Sequence, residues 1–335
     1  MEMKENFDLL LSRIIDSNNC TNYGESINKL KKIKHSCICI GTGGSYAVSQ
    51  YAKKVIGWKN NIIAVNMEPR DVLYENIDVY KNICAFTYGG DNEGINKALD
   101  RCKYYNLNRY AFTSNDEKLK YTLYDRSKDF IVNYSGNIKS EYSFVSIAST
   151  LIPMSILLRY YLGVKDNQFF DLICNLYLNN DNDKNNDLDE IDYNSILDGN
   201  HTIEIMTGDN TYTAGKVLES NIVEAGLSRP IIHEKYSYCH GRSTLACHHK
   251  TKLLIYLING REKGIDEKLL SEVKSLYEKT IILKTTQQNN FIGEFDLAIK
   301  AMFLSRIIAE SLNKDLSEVD YAPQVKRLYR YKGEM

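Results

Sequence analysis

Proline and tryptophan are scarce in this chain, four and one among 335 residues, while Tyr, Asn, Lys and Ile are abundant. The bias is compositional and carries no functional weight. A net charge is lacking too: 42 Lys and Arg against 43 Asp and Glu leave a formal charge of -1. Neither nucleic acid nor an anionic membrane surface is indicated as a partner, because both demand a strong basic footprint. No apolar run reaches membrane-spanning length. The N-terminus, MEMKENFDLLLSRIID, has an amphipathic helical pattern instead of a basic region ahead of an apolar core, so it is not expected to be a secretory leader. The eight cysteines (Cys20, Cys37, Cys39, Cys84, Cys102, Cys174, Cys239 and Cys247) are scattered, several within strand-like runs. They are expected to be free thiols in a reducing cytoplasm.

What is present is enough apolar residue, 43% of the chain, for substantial cores. Helical patterns over 7–15 and 25–34 precede a strand at 36–40. Strands at 61–66, 82–87 and 109–113 then alternate with helices near 45–57, 70–76 and 92–105, the rhythm of a parallel α/β sheet. A helix over 145–162 closes this lobe. An Asn- and Asp-rich stretch at 176–200 is expected to link it to a second lobe, so the domains are set at 1–175 and 201–335. Beyond 200 the alternation restarts, with strands at 202–207, 230–233, 252–258 and 280–284 and helices at 212–225, 240–248, 265–278 and 292–312. The second half repeats the first in outline.

In the first lobe, Gly41-Thr42-Gly43-Gly44-Ser45 follows a strand and opens a helix, where backbone N–H groups and the Ser45 hydroxyl can meet an anion. A plain structural turn is the competing reading. Thr87-Tyr88-Gly89-Gly90-Asp91-Asn92 repeats the arrangement at what would be the same sheet edge. This pair of turns resembles the SIS (sugar isomerase) family, whose first loop is a Gly-rich turn ending in Ser and whose second is roughly Ser-x-Ser-Gly-x-Thr. The resemblance implies sugar-phosphate binding by Gly43, Gly44, Ser45, Thr87, Gly90 and Asn92. Two hydroxyls depart from the pattern: Gly89 replaces the second serine and Asn92 the threonine. Each such bond to a charged phosphate contributes about 1.5 to 3 kcal/mol, so phosphate is expected to bind more weakly or to yield to another polar group. Asp91 and Glu93 suit a helix N-terminus, and the resemblance makes Glu141, ahead of the closing helix, a lesser candidate for the site.

In the second lobe, the helical segment over 212–225 places Glu224 near its C-terminus, where a carboxylate is disfavoured unless solvated, paired or employed. After a short strand, His240-Gly241 opens the next helix. That order and spacing are similar to the isomerase domain of glucosamine-6-phosphate synthase and to fructosamine-6-phosphate deglycases. Moving a proton between C1 and C2 of an open-chain sugar requires a carboxylate that gives the proton back, and ring opening or loss of an amine requires a group titrating near neutrality. Glu224 and His240 match these needs. The plain alternative is a solvated glutamate and a structural histidine. A metal reading of His233, Cys239, His240, Cys247, His248 and His249 is disfavoured by spacing. The resemblance also implies a C-terminal lysine at the substrate, for which Lys326 is the candidate against a plain basic tail, and a homodimer in which the histidine is donated by a neighbour.

The expectation is an α/β fold of two SIS-type lobes, each a parallel sheet flanked by helices, with helices at the N-terminus. The expected function is a cytoplasmic phosphosugar isomerase or deglycase working through an enediol or enaminol, with no cofactor or metal. A SIS protein that senses a sugar phosphate without turnover is the alternative.

Overall fold

A computed structural model describes residues 2–119, 122–125, 127–139, 141, 143–182, 191–196, 202–248 and 253–318. Contacts divide the chain into two units. Residues 6–142 and 147–164 lie in one, residues 1–5, 143–146 and 165–317 in the other.

The N-terminal helices are α1 (Glu2–Asp8), α2 (Leu10–Cys20) and α3 (Tyr23–Lys31). Asn22 caps α3 by accepting the N–H of Glu25. The first sheet has five parallel strands in the order β2-β1-β3-β4-β5, from β1 (Cys37–Ile40), β2 (Ala64–Met67), β3 (Asn82–Phe86), β4 (Asn108–Thr113) and β5 (Asp129–Asn133). Helices α4 (Gly44–Asn60), α5 (Pro69–Tyr74) and α6 (Glu93–Tyr104) make the first crossovers. Strands β1 and β3 are buried along their whole length, which explains the apolar runs CICI and, after Asn82, ICAF: helices cover both faces of a parallel sheet. Ile38, Ile83, Ala111, Ile95 and Leu99 form the centre of one such layer. Strand β5 was not anticipated. It is an edge strand with only one fully buried residue, Val132, so its sequence DFIVN lacks the apolar run of an interior strand.

Helix α7 (Ala148–Leu162) is buried along nearly its whole length and ends at Gly163 in the left-handed conformation, φ 63°. It begins three residues later than the apolar pattern suggests. The Glu141 carboxylate accepts the N–H groups of Ile147 and Ser149 at 2.7 and 2.8 Å and so fixes its start. Helix α8 (Asp166–Asn182) continues into the Asn-rich stretch expected as linker. A short α9 (Tyr193–Ile196) follows.

The second sheet has four parallel strands in the order β7-β6-β8-β9: β6 (Thr202–Thr207), β7 (Arg229–Glu234), β8 (Leu253–Ile258) and β9 (Lys279–Lys284). Helix α10 (Tyr212–Glu224) joins β6 to β7. Helix α11 (Lys235–Ser237), a wide turn over Tyr238–Arg242 and α12 (Ser243–His248) lead toward β8, and α13 (Lys263–Val273) toward β9. Helix α14 (Asn290–Ser311), capped by Asn289, packs on α10, where Asn221 donates to Ser305 Oγ at 3.3 Å. Among the described residues no helix is long and apolar enough to cross a membrane. The expected architecture of two parallel-sheet lobes with N-terminal helices is the one observed.

Candidate functional site

Both glycine turns lie at the carboxyl edge of the first sheet, where ligands of parallel α/β folds bind. Between β1 and α4 the chain closes so tightly that a Cβ on Gly41 would stand 2.1 Å from the Ser45 carbonyl oxygen. Gly43 takes φ 54° at the helix cap, and the N–H groups of Ser45 and Tyr46 bond back to Thr42 and Gly43. Gly44 is buried and Ser45 half-buried. In the second turn Thr87 is buried and its N–H is bound by the Phe112 carbonyl at 3.0 Å. Gly90 has φ 72°, and a Cβ there would meet the Asn115 carbonyl oxygen at 2.6 Å.

Asn92 joins the two turns. Its Oδ1 accepts from Ile95 N at 3.0 Å, capping α6, and its Nδ2 donates to Thr42 Oγ1 at 3.2 Å. Both ends of the amide are therefore engaged within the protein. Asn92, which the resemblance places among the phosphate-binding residues, ties one turn to the other.

Beside these turns is a cleft of about 400 Å³, its open mouth included, lined by Arg13, Asp16, Tyr88, Ser114, Tyr134 and Glu141 among others. The Tyr88 and Tyr134 rings lie 6.4 Å apart. Arg13 is held by Asn6 Oδ1 at 3.0 Å and by the Lys139 carbonyl at 3.0 Å, and Asp16 accepts the N–H of Ile138 at 2.8 Å. Burial raises the Glu141 carboxyl above its ordinary range, against the pull of two backbone N–H donors and the Arg13 charge. Burial likewise pushes up the Tyr134 phenol. The cleft is lined by charges of both signs and by several hydroxyls. Apart from Glu141, sequence reasoning missed this lining. Tyr88 lies two residues past β3 and Ser114 directly follows β4, a signal that was available, whereas Tyr134 follows the unrecognised β5.

In the other unit, Glu224 ends α10, and Gly226 at φ 61° turns the chain toward β7. The carboxylate is half-buried and accepts from Ser220 Oγ at 2.8 Å. His240 is exposed on the wide turn after β7, with φ -91° and ψ 39°, followed by Gly241 at φ 112°. The turn starts where Glu234, at the end of β7, accepts the N–H groups of Tyr236 and Ser237. Because β6, α10 and β7 form one crossover, Glu224 lies at the amino edge of the second sheet and His240 beyond its carboxyl edge. Six strand residues separate those edges, a span of about 20 Å, so the lobe of one chain does not bring the two together.

Lys326 and His249 lie outside the described residues, as do the side chains of Cys247 and His248. Among the described residues no group of three or more His, Cys, Asp or Glu is placed to hold a metal ion.

No family model and no curated protein sequence matches the chain. Solved structures do. The chain is similar to the C-terminal domain of glucosamine-fructose-6-phosphate aminotransferase from Francisella tularensis, at TM-score 0.72 and 13% identity over 94% of this chain and 96% of that one. It is similar to the tagatose-6-phosphate ketose/aldose isomerase of Escherichia coli, at TM-score 0.72 and 14% identity over 96% and 97%. A glucosamine-6-phosphate deaminase from Thermotoga maritima matches at TM-score 0.70 and 14% identity over 97% and 99%. The chain thus has the fold of these structures along nearly its whole length, which supports the SIS resemblance at the level of fold.

Proposed function

We propose that the protein processes a sugar phosphate or its amine adduct by aldose/ketose isomerisation or deglycation. The supporting observation is the pair of glycine turns, tied by Asn92 and Thr42, beside a cleft lined with charges and hydroxyls at the carboxyl edge of a parallel sheet. Neighbours of the same fold include a ketose/aldose isomerase and a deaminase of phosphorylated sugars. Gly43, Gly44, Ser45, Thr87 and Gly90 form the phosphate cradle in this reading, with Asn92 holding its shape.

Glu224 is the base that takes the carbon-bound proton from C1 or C2 and returns it to the neighbouring carbon through an enediol or enaminol. The Ser220 hydroxyl orients its carboxylate. His240 transfers the proton that opens the ring or leaves with the amine. Since Glu224 and His240 stand at opposite edges of one sheet, the reading includes a homodimer in which each site takes its histidine from a second copy. The setting in this reading is cytoplasmic, where free thiols such as Cys37 and Cys84, whose sulfurs are hydrogen-bonded at 3.8 Å, stay reduced.

The test is deuterium exchange into 6-phosphosugars and their amino-acid adducts in D2O, followed by NMR. Wild-type protein is expected to label C1 or C2 of one of them. Glu224→Gln should lower that rate at least a thousandfold and leave the sugar-phosphate Kd within threefold. Unchanged exchange in the variant would overturn the assignment. The internal use of the Asn92 amide favours a second reading, a sensor that binds without turnover. Saturable binding with no label in any sugar would select it.

A further inference from the structure

His240 stands on a turn with no regular ladder to hold it. Its own backbone and that of Gly241 leave the helical range, and the imidazole is exposed, so its direction is set by whatever fixes the neighbouring residues. Two residues earlier, Tyr238 is only 1% exposed. Its hydroxyl lies 2.7 Å from that of Tyr277, and the Tyr277 hydroxyl donates to Glu204 Oε2 from the interior strand β6. Tyr277 has one proton, and it points to Glu204. The Tyr238 hydroxyl must then be the donor to Tyr277, so the chain of bonds has a single direction, Tyr238 to Tyr277 to Glu204.

His233 packs on Tyr238 edge-on, ring centroids 5.2 Å apart. Its Nε2 lies 3.3 Å from Glu204, and neither ring nitrogen makes a hydrogen bond. At the other end of the same segment, buried Lys235 donates to Asp266 and to the Leu257 carbonyl, both at 2.7 Å. A buried polar chain of this kind fixes a single arrangement, because any alternative leaves a polar atom unpaired in an apolar core of Met206, Leu254 and Tyr256.

We propose that Tyr238, Tyr277 and Glu204 are positioning residues for His240, with the Lys235–Asp266 pair clamping the start of the segment that carries it. The proposal rests on the reading of His240 as a proton-transfer group, and its first test does not depend on that reading. In hydrogen exchange on the full chain, Tyr277→Phe, which keeps the ring and removes the hydroxyl, is expected to speed exchange of amides 236–242 at least tenfold. Strand β8 should stay within twofold. Glu204→Gln, which keeps an acceptor for Tyr277, should restrain the turn as the wild type does. Unchanged exchange at 236–242, or equal acceleration through β8, would overturn the proposal.

If Tyr277→Phe fails to fold, Tyr238→Phe breaks the same chain from the turn and is judged by the same criteria. On a sugar phosphate that the wild type turns over, Tyr277→Phe is expected to lower kcat at least tenfold with KM within twofold. A kcat within twofold of wild type would overturn the proposal even with a loosened turn. If the wild type turns over no sugar phosphate, the functional reading fails and the exchange result alone decides whether the chain holds the turn.

Discussion

The two lobes share one plan, and a buried ion pair stands at opposite ends of it in each. In the first, Arg109 on β4 grips Asp129 on β5 through two bonds of 2.8 and 2.7 Å. These residues stand at the amino end of their strands, and the carboxyl edge is left to glycine turns and an open cleft. In the second, Lys235 and Asp266 pair just past the carboxyl ends of β7 and β8. The Asn210 amide bonds to Glu262 nearby and closes that edge further. The same alternation of strand and helix thus leaves the carboxyl edge to glycine turns and a cleft in one lobe and places a buried ion pair beside it in the other.

The largest expected effects come from breaking these pairs. Asp129→Ala and Asp266→Ala each leave a buried cation without its carboxylate, at a cost of about 3 to 5 kcal/mol in urea denaturation. The difference between the lobes should appear in ligand binding, where loss of the amino-edge pair leaves sugar-phosphate affinity within threefold in any variant that still folds. Replacing Lys235 and Asp266 together by Met and Leu should recover most of the stability, since no charge is stranded.

A smaller loss sharpens the contrast between two left-handed glycines. Gly90→Ala is expected to cost about 2 to 3 kcal/mol, because the strain of φ 72° adds to a clash with a backbone carbonyl. Gly226→Ala, at φ 61° with open space around it, should cost about 1 kcal/mol by the same measurement.

Glu141 supplies a pH test. Its folded carboxyl is raised by burial, so between the unfolded value near 4.5 and the higher folded one the native state binds more protons than the unfolded. The favourable contribution of the protonated form is therefore present below pH 4.5 and lost as pH rises through the folded value. Glu141→Gln should flatten the pH dependence of stability in that window. The same variant puts an amide donor near two N–H groups and should cost about 1 to 2 kcal/mol. Least of all, Asn92→Ala should remove about 1 kcal/mol with the α6 cap. It should also weaken sugar-phosphate binding by loosening the tie to Thr42, measured by calorimetry.

Much of the fold was legible along the chain. CICI and LLIYLI are interior strands because only a strand covered on both faces is apolar at every position. DFIVN was missed because an edge strand needs no such run, and α8 was partly taken for linker because its Asn and Asp mask a helical apolar face. The candidate site was legible only in part. The glycine turns and the Glu224 and His240 motif stand out locally, but the cleft gathers Arg13, Tyr88, Ser114, Tyr134 and Glu141 from distant segments. Asn92 has the right composition for a ligand donor, and only its partners, Ile95 N and Thr42 Oγ1, reveal a strut.

By itself the sequence determined the alternation of elements and the tight turns at Gly41 and Gly90, because periodicity and backbone sterics act between near neighbours. Tertiary structure alone decided the pairings. Arg109 and Asp129 are 20 residues apart, Lys235 and Asp266 31, Tyr277 and Glu204 73. Ion pairs and hydrogen bonds depend on distance in space and are indifferent to distance along the chain, so no local pattern announces which buried charge meets which partner.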